Sequence, residues 1–190
     1  GYVHDIRESG NLLLSLINDL LDLSKAESGR IELDPDAVEI RPIVMSVLSL
    51  LGPLADKSGV SLSASIPKSM PAIVADERSL KQILLNLAGN AIKFGGEDSE
   101  VSIAARMDAA GAVHIEISDT GPGMDSEELK RAMEPYRRTR SGRGREGTGL
   151  GLPLARALVE ANKAQFAIMS EPGKGTTARL TFPSALVLAG

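Results

Sequence analysis

"EVSIAARMDAAGAVHIEISD", residues 100–119, alternates apolar and polar residues on either side of "DAAG" at 108–111. The period-two pattern predicts two strands joined by a short turn, an antiparallel hairpin. His114 alternates outward from Val113 and Ile115, so it is expected to be an exposed strand residue. A second such unit closes the chain, with "QFAIMS" and "TTARLTFP" around "EPGKG".

Working outward, "RIELDPDAVEI" reads as a short extended piece, "VSLSASI" alternates as a strand, and "PAIVAD" is a short strand after Pro71. Between them "RPIVMSVLSLLGPLADKSG" is an amphipathic helix ended by Gly59, and "ERSLKQILLNLAGNAIKF" is a strong helix. "SEELKRAM" is a short helix, and "LGLPLARALVEA" is another after a basic stretch. Helices mixed with adjacent hairpins predict an α+β fold, a two-layer α/β sandwich with a largely antiparallel sheet and helices on one face.

Residues 3–28 follow a different rule. Ile6, Leu13 and Leu20 stand seven apart, and Leu16, Ile17 and Leu23 widen the stripe to an adjacent face. So broad an apolar circumference is that of a helix in a bundle, whose partners come from elsewhere. Gly29 is placed as its stop. The chain therefore divides into 1–30, one long bundle helix, and 31–190, the sandwich.

Composition excludes several classes. The net charge of −4 gives no overall basic character for nucleic-acid binding. The absence of cysteine excludes disulfide and thiolate chemistry and suits an intracellular setting. No apolar run is long enough to span a membrane and no signal-peptide pattern is present, which leaves anchoring of a parent chain open.

Three motifs carry chemistry. Asn86, Asn90 and Lys93 fall at i, i+4 and i+7 on one face of the predicted helix. Amide oxygens there suit a hard cation and an ammonium suits phosphate, although the same line suits a solvent-facing polar stripe. "SDTGPGM" ends a strand at Asp119, beside Gly121 and Gly123; the carboxylate could accept an exocyclic amine, or simply make a turn. "EGTGLGLPLARALVE", residues 146–160, sets glycines at 147, 149 and 151 against a helix start. It is neither a Walker loop, since Leu152 and Pro153 follow Gly151, nor a dinucleotide fingerprint, since 152 is Leu and no strand precedes it.

In this order the motifs resemble those of the catalytic ATP-binding domain of sensor histidine kinases, in the superfamily shared with gyrase B, Hsp90 and MutL. "ADERSLKQILLNLAGNAIKF" is similar to the asparagine box, "EISDTGPGM" to the first glycine box and "EGTGLGL" to the second. "SEPGKGTTARLTFP" resembles the closing box. "AMEPYRR" resembles the Phe-containing box, with Met133 and Tyr136 where Phe is usual. "INDLLDLSKAESGRIEL" resembles the end of the second helix of the dimerisation and phosphotransfer hairpin.

The resemblance implies the Bergerat ATP-binding fold, with ATP and Mg2+ as cofactors. It implies that Asn90 ligates magnesium, Asn86 helps place metal and phosphates, Lys93 meets phosphate, and Asp119 binds the adenine amine with Thr176 assisting. Gly121 and Gly123 would shape the pocket. Gly147, Thr148, Gly149, Leu150 and Gly151 would close over the phosphates at the end of an Arg-rich lid at about 134–148, where Arg138, Arg140, Arg143 and Arg145 are candidates for the γ-phosphate. Hydrolysing relatives carry Glu where this chain has Asn86, and Asn accepts no proton at neutral pH. That favours transfer to an imidazole over hydrolysis, and gives Asn86 the place of the catalytic residue.

"HDIRES", from His4, imitates a phosphoacceptor setting, but no Pro follows and the segment aligns with the second hairpin helix. The acceptor His is thus expected on a first helix outside this chain, His4 on the surface, and this fragment unable to phosphorylate itself. The implied partners are ATP or ADP, a response-regulator receiver domain and a second copy bound through the N-terminal helix, with neither nucleic acid nor membrane contacted by the fragment and a cytoplasmic location. A degenerate kinase serving as a scaffold or sensor is the alternative. "ANKAQ", where many relatives have His-Gly-Gly, changes a turn distant from the phosphates.

Overall fold

The computed structural model describes residues 31–135 and 149–188, with helical positions scattered between 10 and 25. In chain order the elements are β1 (Asp36–Val38), α1 (Ile40–Ser58), β2 (Ser61–Ser65), β3 (Ile73–Ala75) and α2 (Glu77–Gly95), then β4 (Glu100–Met107) and β5 (Val113–Asp119). There follow α3 (Ser126–Ala132), α4 (Gly151–Ala161), β6 (Gln165–Glu171) and β7 (Gly175–Phe182).

The hairpin quoted above forms as expected. Asp108 accepts the N–H groups of Ala110 and Ala112 through Oδ1, both at 2.9 Å, while Gly111 supplies the left-handed residue at φ 80°. A short acidic side chain organising its own turn is why this sequence reverses here. From the turn the ladder runs from Met107 opposite Val113 to Val101 opposite Asp119.

The main sheet has the order β2-β4-β5-β7-β6. All its pairings are antiparallel except β2 with β4. That parallel edge follows from the connection: the chain leaves β2, passes through β3 and the long helix α2, and returns as β4, a crossover that delivers a parallel strand. The two short extended pieces, β1 and β3, pair antiparallel with each other outside the main sheet.

Alternation sorts the sheet into two faces. Val101, Ile103 and Ala105 of β4, Val113, Ile115 and Ile117 of β5, and Ala178, Leu180 and Phe182 of β7 are all buried. They meet one layer of helices, in which α1 lies against β2, α2 against β4 and β5, and α4 against β6. The helices supply Val44 and Val47, Leu80, Ile83 and Leu84, and Leu154 and Val159 to the same core. The predicted two-layer sandwich is therefore observed. α1 stops where the left-handed Gly59 returns its N–H to the carbonyls of Ala55 and Asp56.

The other face carries polar side chains that pair across strands. Glu116 Oε1 accepts Arg179 Nε at 2.7 Å and lies 3.4 Å from Arg106. His114 departs from expectation. It points outward, but its side chain is only 12% exposed, since Nε2 bonds Asp108 at 2.8 Å and Nδ1 bonds Thr181 at 3.0 Å. The turn carboxylate and the neighbouring strand cover it.

The described positions of the N-terminal stretch, among them Leu13, Ile17, Leu20 and Leu21, are helical and exposed. His4 lies outside the described residues. Among those described, no helix is long and apolar enough to cross a membrane.

Candidate functional site

α2 starts at a firm cap. Asp76 accepts the N–H of Ser79 at 2.7 Å through Oδ1, satisfying a donor the first turn leaves open. Leu80, Ile83, Leu84, Leu87, Ala88, Ala91 and Ile92 bury one face of the helix. Asn86, Asn90 and Lys93 occupy the flank of that buried face and are partly covered.

The polar line is not an ordinary solvated stripe. Asn86 Nδ2 is buried and has no hydrogen-bond partner within the protein. An orphaned amide of this kind costs about 1–3 kcal/mol unless something binds it. One turn on, Asn90 faces the start of α4, where a Cβ placed on Gly151 would come within 3.0 Å of Asn90 Nδ2. Glycine at 151 is what lets the helix start meet that amide. Lys93 Nζ stands 5.5 Å from the ring centroid of Phe94.

The start of α4 has no side-chain cap. Its capping position is Leu150, which offers no side-chain hydrogen bond and is 1% exposed. Gly149 precedes it at φ 71°. Pro153 fits the first turn, which loses no intrahelical bond to it. N–H groups at such a terminus favour an anion, and phosphate is the usual one.

At the other side Asp119 ends β5, paired with Val101 of β4 and Thr176 of β7. Its Oδ1 accepts the N–H of Gly121 at 2.8 Å. Burial pushes its carboxyl above the usual value, outweighing the N–H bonds from Gly121 and Thr176 that favour the charged form. A half-buried carboxylate that retains unused acceptor capacity is suited to an amine donor. Thr176 is drawn into the same corner, with Oγ1 2.8 Å from Ser170 Oγ.

Two glycines fit this corner to its surroundings. A Cβ on Gly121 would lie 2.8 Å from Gly95 Cα, so the loop after Asp119 packs on the end of α2. Gly123, at φ 65°, passes so close to β6 that a Cβ would lie 1.9 Å from the carbonyl oxygen of Glu171. Gly173 N–H bonds Pro122 O at 2.7 Å, which ties the closing hairpin to the same loop.

Asn86, Asn90, Lys93, Asp119, Gly121, Gly123, Gly149, Leu150, Gly151 and Thr176 are thus carried by elements that meet around the C-terminal half of α2. Gly147, Thr148, Arg138, Arg140, Arg143 and Arg145 lie outside the described residues, as does most of the expected lid. The asparagine amides fit magnesium through their oxygens. No group of three or more His, Cys, Asp or Glu that could hold a metal occurs among the described residues. Ser170, which receives Met124 N–H at 2.8 Å and bonds Gly175 O, had no signal in the sequence beyond its place in the closing hairpin.

Comparison with known proteins places these features in context. Residues 75–186 match the family described as histidine kinase-, DNA gyrase B- and HSP90-like ATPase. Over 198 residues the chain is 41% identical to the cell-division control histidine kinase PdhS of Brucella canis, a match spanning 99% of this chain and 19% of that protein. The chain is therefore about a fifth as long as this curated relative. Full-length ShkA, solved in complex with AMPPNP, superposes with a TM-score of 0.85 at 33% identity, over 100% of this chain and 39% of that one. Histidine kinase ThkA, solved with the response regulator protein TrrA, shares the fold at a TM-score of 0.72 and 19% identity, over 96% of this chain and 50% of that one.

Proposed function

Because this chain belongs to the histidine kinase-, DNA gyrase B- and HSP90-like ATPase family, we propose that it is the ATP-loading core of a sensor histidine kinase, acting on a histidine carried outside these 190 residues. The observation that carries the proposal is the buried Asn86 Nδ2, without a partner in the protein, one turn before Asn90, whose amide meets the start of α4 at Gly151. A polar corner of that composition fits a metal-bound triphosphate.

In this reading the adenine amine donates to Asp119, with Thr176 beside it. Asn90 would hold magnesium through its amide oxygen, Asn86 would orient the metal–phosphate unit, and Lys93 together with Arg143 and Arg145 would meet phosphate oxygens. The backbone from Gly147 through Thr148, Gly149, Leu150 and Gly151 closes over the chain of phosphates. Magnesium, when bound, neutralises charge on the phosphates. An imidazole nitrogen then attacks the γ-phosphorus, the bond to the β-phosphate oxygen breaks, and ADP leaves. With Asn at 86 no carboxylate stands there to activate water, which preserves ATP for the imidazole. The phosphohistidine would pass its phosphoryl group to an Asp of a receiver domain.

The test uses labelled ATP and magnesium. This chain alone is expected to remain unlabelled, while a longer form that includes the preceding helix gains acid-labile label. Absence of label from the longer form, with nucleotide bound, would favour a non-catalytic scaffold.

The apolar helical positions Leu13, Ile17, Leu20 and Leu21 are exposed, which supports pairing of this segment with a second copy. Light scattering is expected to find a dimer at concentrations well above micromolar, and a monomer once residues 1–30 are removed. A monomer in both cases contradicts the pairing.

A further inference from the structure

The two helices that meet at Asn90 and Gly151 are also joined at their far ends, by a polar cluster no motif announces. Asn162 caps α4 and is 6% exposed. Its Oδ1 accepts Asp76 N–H at 2.8 Å. Its Nδ2 donates to Ser79 Oγ at 2.7 Å and to Leu158 O at 2.8 Å. Ser79 Oγ donates onward to Asp76 O at 2.9 Å.

Asp76 has a second attachment. While Oδ1 caps α2, Oδ2 accepts the N–H of Asp34 at 2.9 Å, from the segment that leads out of the N-terminal helix. Desolvation alone would raise this carboxyl, yet the bonds from Asp34 and Ser79 and the charge of Arg78 hold it below the usual value. A continuous hydrogen-bonded path therefore runs from the linker, through the cap of α2, to the end of α4.

The geometry makes this path mechanically relevant. α2 and α4 run antiparallel, since Ser79 meets Asn162 at one end and Asn90 meets Gly151 at the other. Equal lengths of both helices separate the two meeting points. With regular helices about 16 Å long between contacts, a slip at the polar end reappears as a slip between Asn90 and the start of α4.

We propose that Asp76 and Asn162 form a positioning clamp that sets the register of the two nucleotide helices and couples it to the linker at Asp34. The proposal rests on the reading of the Asn90–Gly151 end as the nucleotide site. The clamp touches neither nucleotide nor metal and acts only through the helices. By reciprocity, if the linker biases nucleotide binding, nucleotide must tighten the linker by the same factor.

Backbone amide exchange of this chain, followed by NMR with and without a non-hydrolysable ATP analogue and magnesium, tests the clamp. Saturation is expected to slow exchange of the Asp34 and Asp76 amides by about fivefold, within the range reported for coupling between linked sites. The slowing at Asp34 should vanish in Asp76→Asn, which can keep the cap through its oxygen but turns an amide nitrogen toward the Asp34 donor. Asn162→Ala should weaken analogue binding by about fivefold at a temperature where the variant remains folded. Unchanged exchange at Asp34, with calorimetry recording saturation, would overturn the clamp and leave the nucleotide site standing. Failure of the folded chain to take up analogue at all would overturn both.

Discussion

Asp119→Ala is expected to weaken ATP binding by about 30- to 100-fold while the domain remains folded. Hydrogen bonds to charged groups contribute about 1.5–3 kcal/mol, and loss of a partner also leaves the ligand's amine desolvated and unpaired. pH provides an independent check. Burial raises the Asp119 carboxyl above its ordinary value, so in the empty fold the charged form is disfavoured and protonation begins at higher pH than for a free carboxyl. In the ligand-free domain that burial is a cost fully present above the raised folded pKa and relieved as pH falls from there to the unfolded pKa. The adenine amine needs the ionised acceptor, so affinity should be highest above the raised pKa and decline as pH falls through it. Asp119→Asn should bind more weakly than wild type at neutral pH and lack this acid decline. Calorimetric titration at several pH values measures both effects. An Asp119→Ala variant that binds ATP as wild type does would remove Asp119 from the site.

Gly175→Ala is expected to be severely destabilising. Gly175 sits at φ 90°, and a Cβ there would lie 1.9 Å from the carbonyl oxygen of Asp119 and 2.8 Å from its carbonyl carbon. Both obstacles are backbone, so β5 and β7 must separate at the residue pair that positions Asp119 and Thr176. A destabilisation of at least about 3 kcal/mol is expected, in the range of severe backbone strain and overpacking. Gly173→Ala is the matched control. That residue also has a left-handed backbone, at φ 75°, but nothing lies within 4 Å of its Cβ position. The left-handed backbone alone should cost it about 1–2 kcal/mol. Chemical denaturation of the two variants gives the comparison, and equal stabilities would contradict the close approach.

Much of this was legible in the chain because local pattern and final environment agree. β4, β5 and β7 alternate, and their inward apolar residues along the middle of the sheet are buried. The asparagine line, Asp119 and the glycines at 149 and 151 occur as spaced motifs, and the fold carries them to one end of α2. Strand direction and partner choice were less accessible. "VSLSASI" alternates equally well in a parallel or antiparallel pair, and only the crossover through α2 makes β2 parallel. Likewise nothing local told β1 and β3 that they would pair apart from the main sheet. His114 was misjudged because alternation gives the face of a strand, whereas exposure depends on Asp108 and Thr181, which come from a turn and another strand. The Asp76–Asn162 cluster is further still from sequence logic, since its members are 86 residues apart and meet only after two helices have packed. In "ANKAQ" the left-handed position is taken by Lys163, at φ 59°, and Asn162 is the buried cap. That turn lies at the end of α4 opposite Gly151 and is tied through Asn162 to the cap of α2.

Asn86, Asn90, Asp119 and the start of α4 are proposed to form one pocket for a magnesium-bound adenine nucleotide. Its most direct test is a crystal structure of this chain with a non-hydrolysable ATP analogue and magnesium. The adenine amine is expected within hydrogen-bonding distance of Asp119, the metal on the amide oxygen of Asn90, and the phosphates against the backbone at Gly149–Gly151. Nucleotide bound elsewhere, or bound here with Asp119 turned away and Asn90 off the metal, would contradict it.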